Sequence, residues 1–357
     1  MRTPLCVVFS DAFAYRTYNY LGGLGTGYTH KKIIPGIGYS SNLHYLLFDG
    51  KTPDELGFFT DFTWTSSTVR KVGKLRRVCD NIETVNNLYR YFMRKVTKNN
   101  ANIPFSEQDF FFRNGRYKFM TEDSTSVFGV CVDCAYECDN TNACFDRAVQ
   151  YLHDGSDGVI VVLEELDHIG HIVGSLGEQY LESAQNILVK TRMLFDVFQE
   201  KYENSVCILI SDHGMSDVCA GINVYESIKR KFGLPGERYQ IYMDSVYLRL
   251  WSDDKDFLES ISDFLKKINV LVLIDDSARG RYGVKGRSCG DIIFRLREGY
   301  VFLPNNFGVS FRGGCNGIHG YMESSDSASG ILVTNKPIDG NDFIDAYDVF
   351  ERVRSIL

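Results

Sequence analysis

Asp167-His168-Ile169-Gly170-His171 sets a carboxylate and an imidazole four residues apart, directly after an apolar run. Asp212-His213-Gly214 sets a second such pair side by side after another run. Asn316-Gly317-Ile318-His319-Gly320-Tyr321 puts a third histidine between glycines, which let backbone and ligand come close. Asp11 ends the first apolar run of the chain. Together these residues supply three carboxylates and three neutral imidazoles. That donor set suits two borderline divalent ions, zinc first, with manganese as the alternative. Two such ions a few ångströms apart clamp the attacking and leaving oxygens of an in-line phosphoryl displacement. One Asp-His pair by itself is more often a structural hydrogen bond. The joint occurrence, in this order and at the ends of apolar runs, carries the reading.

The segments that must position these side chains are short and β-branched. Val7-Val8-Phe9-Ser10 runs into Asp11, Val159 to Leu163 into Glu164 to Asp167, and Cys207 to Ser211 into Asp212. Apolar runs that do not alternate suit strands buried on both faces, as in a parallel sheet covered by helices. Helical periodicity lies between them, for example from Tyr180 to Tyr202 and from Lys255 to Ile268. The alternation predicts an α/β fold with an open, mostly parallel central sheet and helices on both faces. Ligands then sit beyond the carboxyl ends of the strands, where all three aspartates fall. Residues 65–150 break the rhythm and are expected to form a cap insert. A smaller insert is expected over 225–311, with strands near Val246-Leu250 and Asp291-Leu296. Residues 1–64, 151–224 and 312–357 are left for the core.

Composition narrows the setting. The 357 residues are 44% apolar and 24% charged, the balance of an ordinary globular chain, and no run approaches the roughly 20 apolar residues of a spanning helix. The N-terminus reads as a strand rather than a signal peptide, so a cytoplasmic address is expected, with the ten cysteines mostly reduced. Cys131, Cys134, Cys138 and Cys144 cluster without zinc-ribbon spacing. They are read as free thiols, with a structural metal as the alternative. A net charge of −7 argues against general binding to nucleic-acid duplexes. Between Arg70 and Lys98, however, nine Lys/Arg face only Asp80 and Glu83. That stretch is either a solvated helix face or a basic lid over an anionic substrate. Gly22 to Gly27 lacks the spacing and the lysine of a phosphate loop. His30, His44 and His153 are taken as structural or supporting, His168 as supporting or exposed, and Trp64 and Trp251 as core.

The order Asp, Ser, Asp-x-x-x-His, Asp-His-Gly, His-Gly resembles the alkaline phosphatase superfamily, most of all its type I phosphodiesterase/nucleotide pyrophosphatase branch. The resemblance runs along nearly the whole chain, including Asp291-Ile292-Ile293-Phe294 and the closing Gly330-Ile331-Leu332-Val333, and is poor in the inserts. It implies a metal-dependent hydrolase of small phosphate esters. One metal would be held by Asp167, His171 and His319, the other by Asp11, Asp212, His213 and the oxygen of Ser40. Ser40, His44 and Gly50 reproduce the branch's nucleophile-helix spacing, followed by Pro53 and Gly57. A helix N-terminus favours the alkoxide, and a metal lowers its pKa. Ser41 is the rival nucleophile or a cap. Where the branch carries an asparagine that donates to a phosphate oxygen, this chain has Asp61, which cannot donate unless protonated. Either Thr60 donates in a register shifted by one, or Asp61 meets a cation or an extra metal. Arg76 and Arg77 are expected to attract anionic groups farther out on the substrate. The implied reaction is double displacement of a phosphodiester through a phosphoseryl intermediate. Phosphomonoester or phosphonate hydrolysis, and transfer to an acceptor alcohol, are the alternatives.

Overall fold

The computed structural model describes residues 3–65, 111–114, 117–118, 122–137, 140–236, 238–303, 305 and 316–357. The chain divides into two compact units. The first comprises Met1–Thr52, Gly115–Val218 and Gly314–Leu357, the second Pro53–Asn114 and Cys219–Gly313.

The first unit is built on an eight-stranded sheet. Its strands are β1 (Leu5–Ser10), β2 (Thr29–Ile34), β3 (Ser124–Val127), β4 (Val130–Tyr136), β5 (Gly158–Leu163), β6 (Val206–Ile210), β7 (Gly330–Thr334) and β8 (Phe343–Asp345). Their order is β8-β2-β7-β6-β1-β5-β4-β3. The centre, β6-β1-β5-β4, is parallel, as the buried apolar runs predict. β7 runs antiparallel to both β6 and β2, and β3 antiparallel to β4, so the sheet is mixed.

Helices cover both faces because successive side chains of β1 point opposite ways. Cys6 and Val8 join a core with α3 (Thr141–His153) and α5 (Glu178–Lys201). Leu5, Val7 and Phe9 join another with α2 (Ser40–Asp49) and α6 (Ala346–Arg354). Two further helices, α1 (Tyr15–Tyr20) and α4 (Glu165–Val173), follow β1 and β5. The cap expected over 65–150 is corrected at its C-terminal side, because β3, β4 and α3 belong to the sheet unit.

The second unit holds a four-stranded antiparallel sheet in the order Gln240–Met243, Tyr247–Trp251, Ile292–Leu296, Leu271–Leu273. One face packs Ile241, Met243, Leu248, Leu250 and Phe294 into a core. The side chains between them in sequence form a buried polar and aromatic layer. There Asp244 lies 3.6 Å from Arg249, and Trp251 stacks on Trp64 at 5.0 Å.

Candidate metal and nucleophile site

The carboxyl ends of the three central parallel strands deliver the acidic groups. Asp11 follows β1, Asp212 lies two residues past β6, and Asp167 sits in the first turn of α4, which follows β5. His171 is one helical turn beyond Asp167, with Nε2 3.4 Å from Asp167 Oδ1. His319 arrives from the far end of the chain. A short antiparallel pairing of Gly317–Ile318 with Ser216–Asp217 brings it in. Glycine is needed there, since a Cβ on Gly317 would collide with the Gly170 carbonyl of α4 and with Met215. The His319 ring lies parallel to that of His213, with centroids 3.9 Å apart, and its Nε2 is 3.4 Å from Asp167 Oδ1.

Ser40 opens α2. The helix start is fixed by Asn42, whose side chain accepts from the Tyr39 N–H and donates to the Ile37 carbonyl. Gly50 closes it in the left-handed conformation. Ser40 Oγ donates toward Asp11 Oδ1 at 3.3 Å and lies 3.1 Å from His213 Nε2. Ser41 differs: its hydroxyl is buried and makes no hydrogen bond among the described residues.

The donor set fits divalent ions. Two atoms bound to one tetrahedral zinc, each at ~2.0–2.1 Å, stand ~3.3 Å apart. His213 Nε2 is 3.4 Å from both Asp11 Oδ1 and Asp212 Oδ2, matching the 3.4 Å contacts of Asp167 with His171 and His319. Among the described residues, Asp167 Oδ1 and Asp212 Oδ2 are buried without a well-aligned hydrogen-bond donor, which is costly unless a cation satisfies them. Among the described residues, two groups of three have all their donor atoms within 4.8 Å: Asp11, Asp212, His213 and Asp167, His213, His319. His213 stands in both, which the sequence reading did not anticipate. The imidazole tautomers are also set. Nδ1 of His171 must donate to the Gly317 carbonyl (3.0 Å) and Nδ1 of His213 to the Gly214 carbonyl (2.8 Å). The Nε2 atom of each ring is thereby left facing the carboxylates.

Electrostatics point the same way. Burial pushes Asp11 well above the usual carboxylate range, and the neighbouring Asp212, Asp167 and Glu164 add to it. Burial also opposes ionisation of Asp167 and Asp212. The imidazoles of His171 and His319 outweigh it at Asp167, those of His213 and His44 at Asp212, and both fall below the ordinary range. His319 is held neutral, mainly by burial and then by His213. Crowded carboxylates facing imidazole nitrogens are the donor chemistry of a cation site.

His44, taken from sequence as structural or supporting, is buried edge-on to Phe9, with Nε2 3.4 Å from Asp212 Oδ2. Its position four residues after Ser40 in α2 was the signal. His30, His153 and His168 are exposed. Thr60 and Asp61 belong to the second unit, where the Thr60 hydroxyl donates to the Phe62 carbonyl at 3.1 Å. Arg76, Arg77 and Cys138 lie outside the described residues. Cys134 and Cys144 are buried free thiols and Cys131 an exposed one.

Residues 50–322 match the sequence profile of type I phosphodiesterase / nucleotide pyrophosphatase, more than half of the chain. The chain belongs to that family. It is accordingly a phosphoric ester hydrolase acting on small phosphate esters. The match spans Asp167, His171, Asp212, His213 and His319 and begins after Asp11 and Ser40, whose side chains meet at 3.3 Å. Solved structures of ectonucleotide pyrophosphatase/phosphodiesterase 5 share the fold. The mouse protein, as an inactive variant in complex with AMP, gives a TM-score of 0.61 at 16% identity, over 99% of this chain and 95% of that one. The mouse protein without that change gives 0.60 at 15%, over 99% and 94%. The human protein gives 0.58 at 14%, over 99% and 94%. A search of curated proteins by sequence returned no match. No helix among the described residues is long and apolar enough to cross a membrane.

Proposed function

We propose that this hydrolase cleaves phosphodiesters by double displacement through a phosphoseryl intermediate on Ser40, with two divalent ions, zinc by preference. The carrying observation is that the Ser40 hydroxyl lies 3.3 Å from Asp11 Oδ1 and 3.1 Å from His213 Nε2. In this reading Asp11, Asp212, His213 and Ser40 hold one ion, and Asp167, His171 and His319 the other. The ions supply Lewis acidity, lowering the pKa of the nucleophile and of water and neutralising charge on phosphorus oxygens.

The remaining work falls to the chain itself. The first turn of α2 presents Ser40 at the positive end of a helix, where an alkoxide and a phosphoryl group are both stabilised. The Gly214 and Gly317 carbonyls keep the protons of His213 and His171 on Nδ1, so Nε2 faces the site. His44 supports Asp212 from behind. By the sequence resemblance Asp61 stands where a donating asparagine would meet the phosphate; a carboxylate in that role would disfavour a bare dianion and favour monoanionic diesters over monoesters. The cytoplasmic address belongs to this reading too, supported by seven free thiols among the described residues, five of them buried.

The test combines metal analysis with turnover of matched nitrophenyl mono- and diesters, phosphonates and sulfates, and mass spectrometry of acid-quenched enzyme. Phosphate on Ser40 and a diester preference are expected. An intermediate on another residue, or a wide monoester preference, refutes the corresponding part.

A further inference from the structure

Directly after Asp11 the backbone does something costly. Ala12, fully buried, has φ +60°, in the left-handed region that non-glycine residues avoid. Such conformations persist where the surroundings enforce them, and they collect at functional sites. Several groups pin this turn. The Asp11 N–H donates to the Leu163 carbonyl at 2.9 Å, and the Ser211 hydroxyl donates to the Phe13 carbonyl at 2.8 Å. At its centre is Tyr180 of α5, also fully buried. Its hydroxyl donates to the Ala12 carbonyl and accepts from the Ala14 N–H at 3.2 Å. One phenol thus closes both sides of the strained residue. Its ring meanwhile packs in the core, close enough to Gly170 of α4 that a Cβ there would crowd it, so the ring and the hydroxyl have separable jobs.

We propose that Tyr180 is a positioning residue whose hydroxyl clamps Ala12 in its left-handed conformation and thereby aims the Asp11 carboxylate at Ser40 and His213. Without the clamp Ala12 relaxes toward an ordinary φ, the Asp11 side chain swings with it, and the donor group Asp11, Asp212, His213 opens on one side. The Asp167, His171, His319 group, on α4 and just past the Gly317–Ile318 strand, does not depend on this turn. The inference rests on the metal reading above.

The experiment titrates metal-free protein with Zn²⁺ against a chromogenic chelator. The wild type is expected to bind two ions, and Asp11→Asn identifies which step belongs to the Asp11 group. Tyr180→Phe keeps the ring and removes the hydroxyl. It should weaken that step about 10- to 100-fold, the range for losing a group that orients a metal ligand, and leave the other step unchanged. Ala12→Gly in the Tyr180→Phe background should recover most of the loss, because glycine adopts φ > 0 without strain. A merely structural tyrosine would lower both steps together and gain nothing from the glycine. Equal weakening of both steps, no weakening, or no rescue by Ala12→Gly overturns the proposal. If Tyr180→Phe does not fold, folding of the double variant upholds the clamp and its failure to fold refutes it. A wild type without an ion at the Asp11 step overturns the metal reading and this inference with it. Two ions in the wild type with an unshifted Tyr180→Phe overturn this inference alone.

Discussion

The two adjacent serines give the sharpest test of the nucleophile, because the structure assigns them opposite energetics. Ser40 Oγ makes two long polar contacts, 3.3 Å to Asp11 and 3.1 Å to His213. Removing the hydroxyl in Ser40→Ala forfeits about 1 kcal/mol of net hydrogen bonding, a small part of the stability of a domain this size. Metal content should hardly change, since the other carboxylates and imidazoles remain. Turnover should fall by roughly four powers of ten or more, as when other hydrolases lose their nucleophile, which is about 5.5 kcal/mol on the barrier. Ser41 presents the reverse case. Its buried hydroxyl has no partner among the described residues, so Ser41→Ala removes an unsatisfied group and should be neutral or stabilising by up to about 1 kcal/mol. Its kcat should stay within about twofold of wild type, because nothing that touches phosphorus is lost. The assay is steady-state hydrolysis of a nitrophenyl diester, with thermal melts and metal analysis on the same samples. A Ser40→Ala enzyme keeping more than a few per cent of kcat, or a dead Ser41→Ala enzyme with normal metal content, would refute the assignment of Ser40.

Four further outcomes are expected. Chelation should abolish activity and lower the melting temperature, since Asp11, Asp167 and Asp212 are left crowded around an absent cation; an ion at 100 times its Kd contributes about 2.7 kcal/mol, and an unchanged melt after verified metal removal would contradict the site. Asp244 is pushed up to about 7 by burial, with Asp61 adding and Arg249 and Thr60 opposing. The folded state therefore holds a proton that the unfolded state has lost between about pH 4 and pH 7, and this group's contribution makes stability fall as pH rises through that window and then level off. Asp244→Asn should remove that slope, a difference on the order of a few kcal/mol in urea melts at pH 5 against pH 8, whereas parallel wild-type and variant profiles would exclude it. Asp61→Asn should raise kcat/KM for simple phosphate esters, and neutralising Arg76 and Arg77 should raise KM for the natural substrate more than for a nitrophenyl ester at one ionic strength. Complete loss of activity in Asp61→Asn would make Asp61 a ligand or acid-base group and turn the diesterase reading into a phosphatase one.

What the sequence disclosed follows from where the physics is local. Each candidate metal-ligand aspartate stands at or just past the end of a fully buried strand, so the apolar run and the polar residue after it mark one another. Asp167 and His171 share a helix face at a four-residue spacing, and Gly317 announces the close approach that brings His319 in. Strand direction is not local. β7 is buried at all five positions, like β6 and β1, yet runs antiparallel to its neighbours, and apolar content does not encode that. β4 does not stand out in the sequence because Cys131 and Asp133 interrupt its buried residues, and the run then no longer looks like a strand covered on both faces. The second unit draws on two stretches more than a hundred residues apart, so no window along the chain contains it. Tyr180 is the clearest case. It is 168 residues from Ala12 and sits in an ordinary amphipathic helix, where it reads as one more core aromatic. The strain at Ala12 is equally silent, since alanine is the least remarkable residue to find after a strand. The candidate ligands of such a site are therefore marked by local pattern, whereas the groups packed around them are found only once distant segments meet.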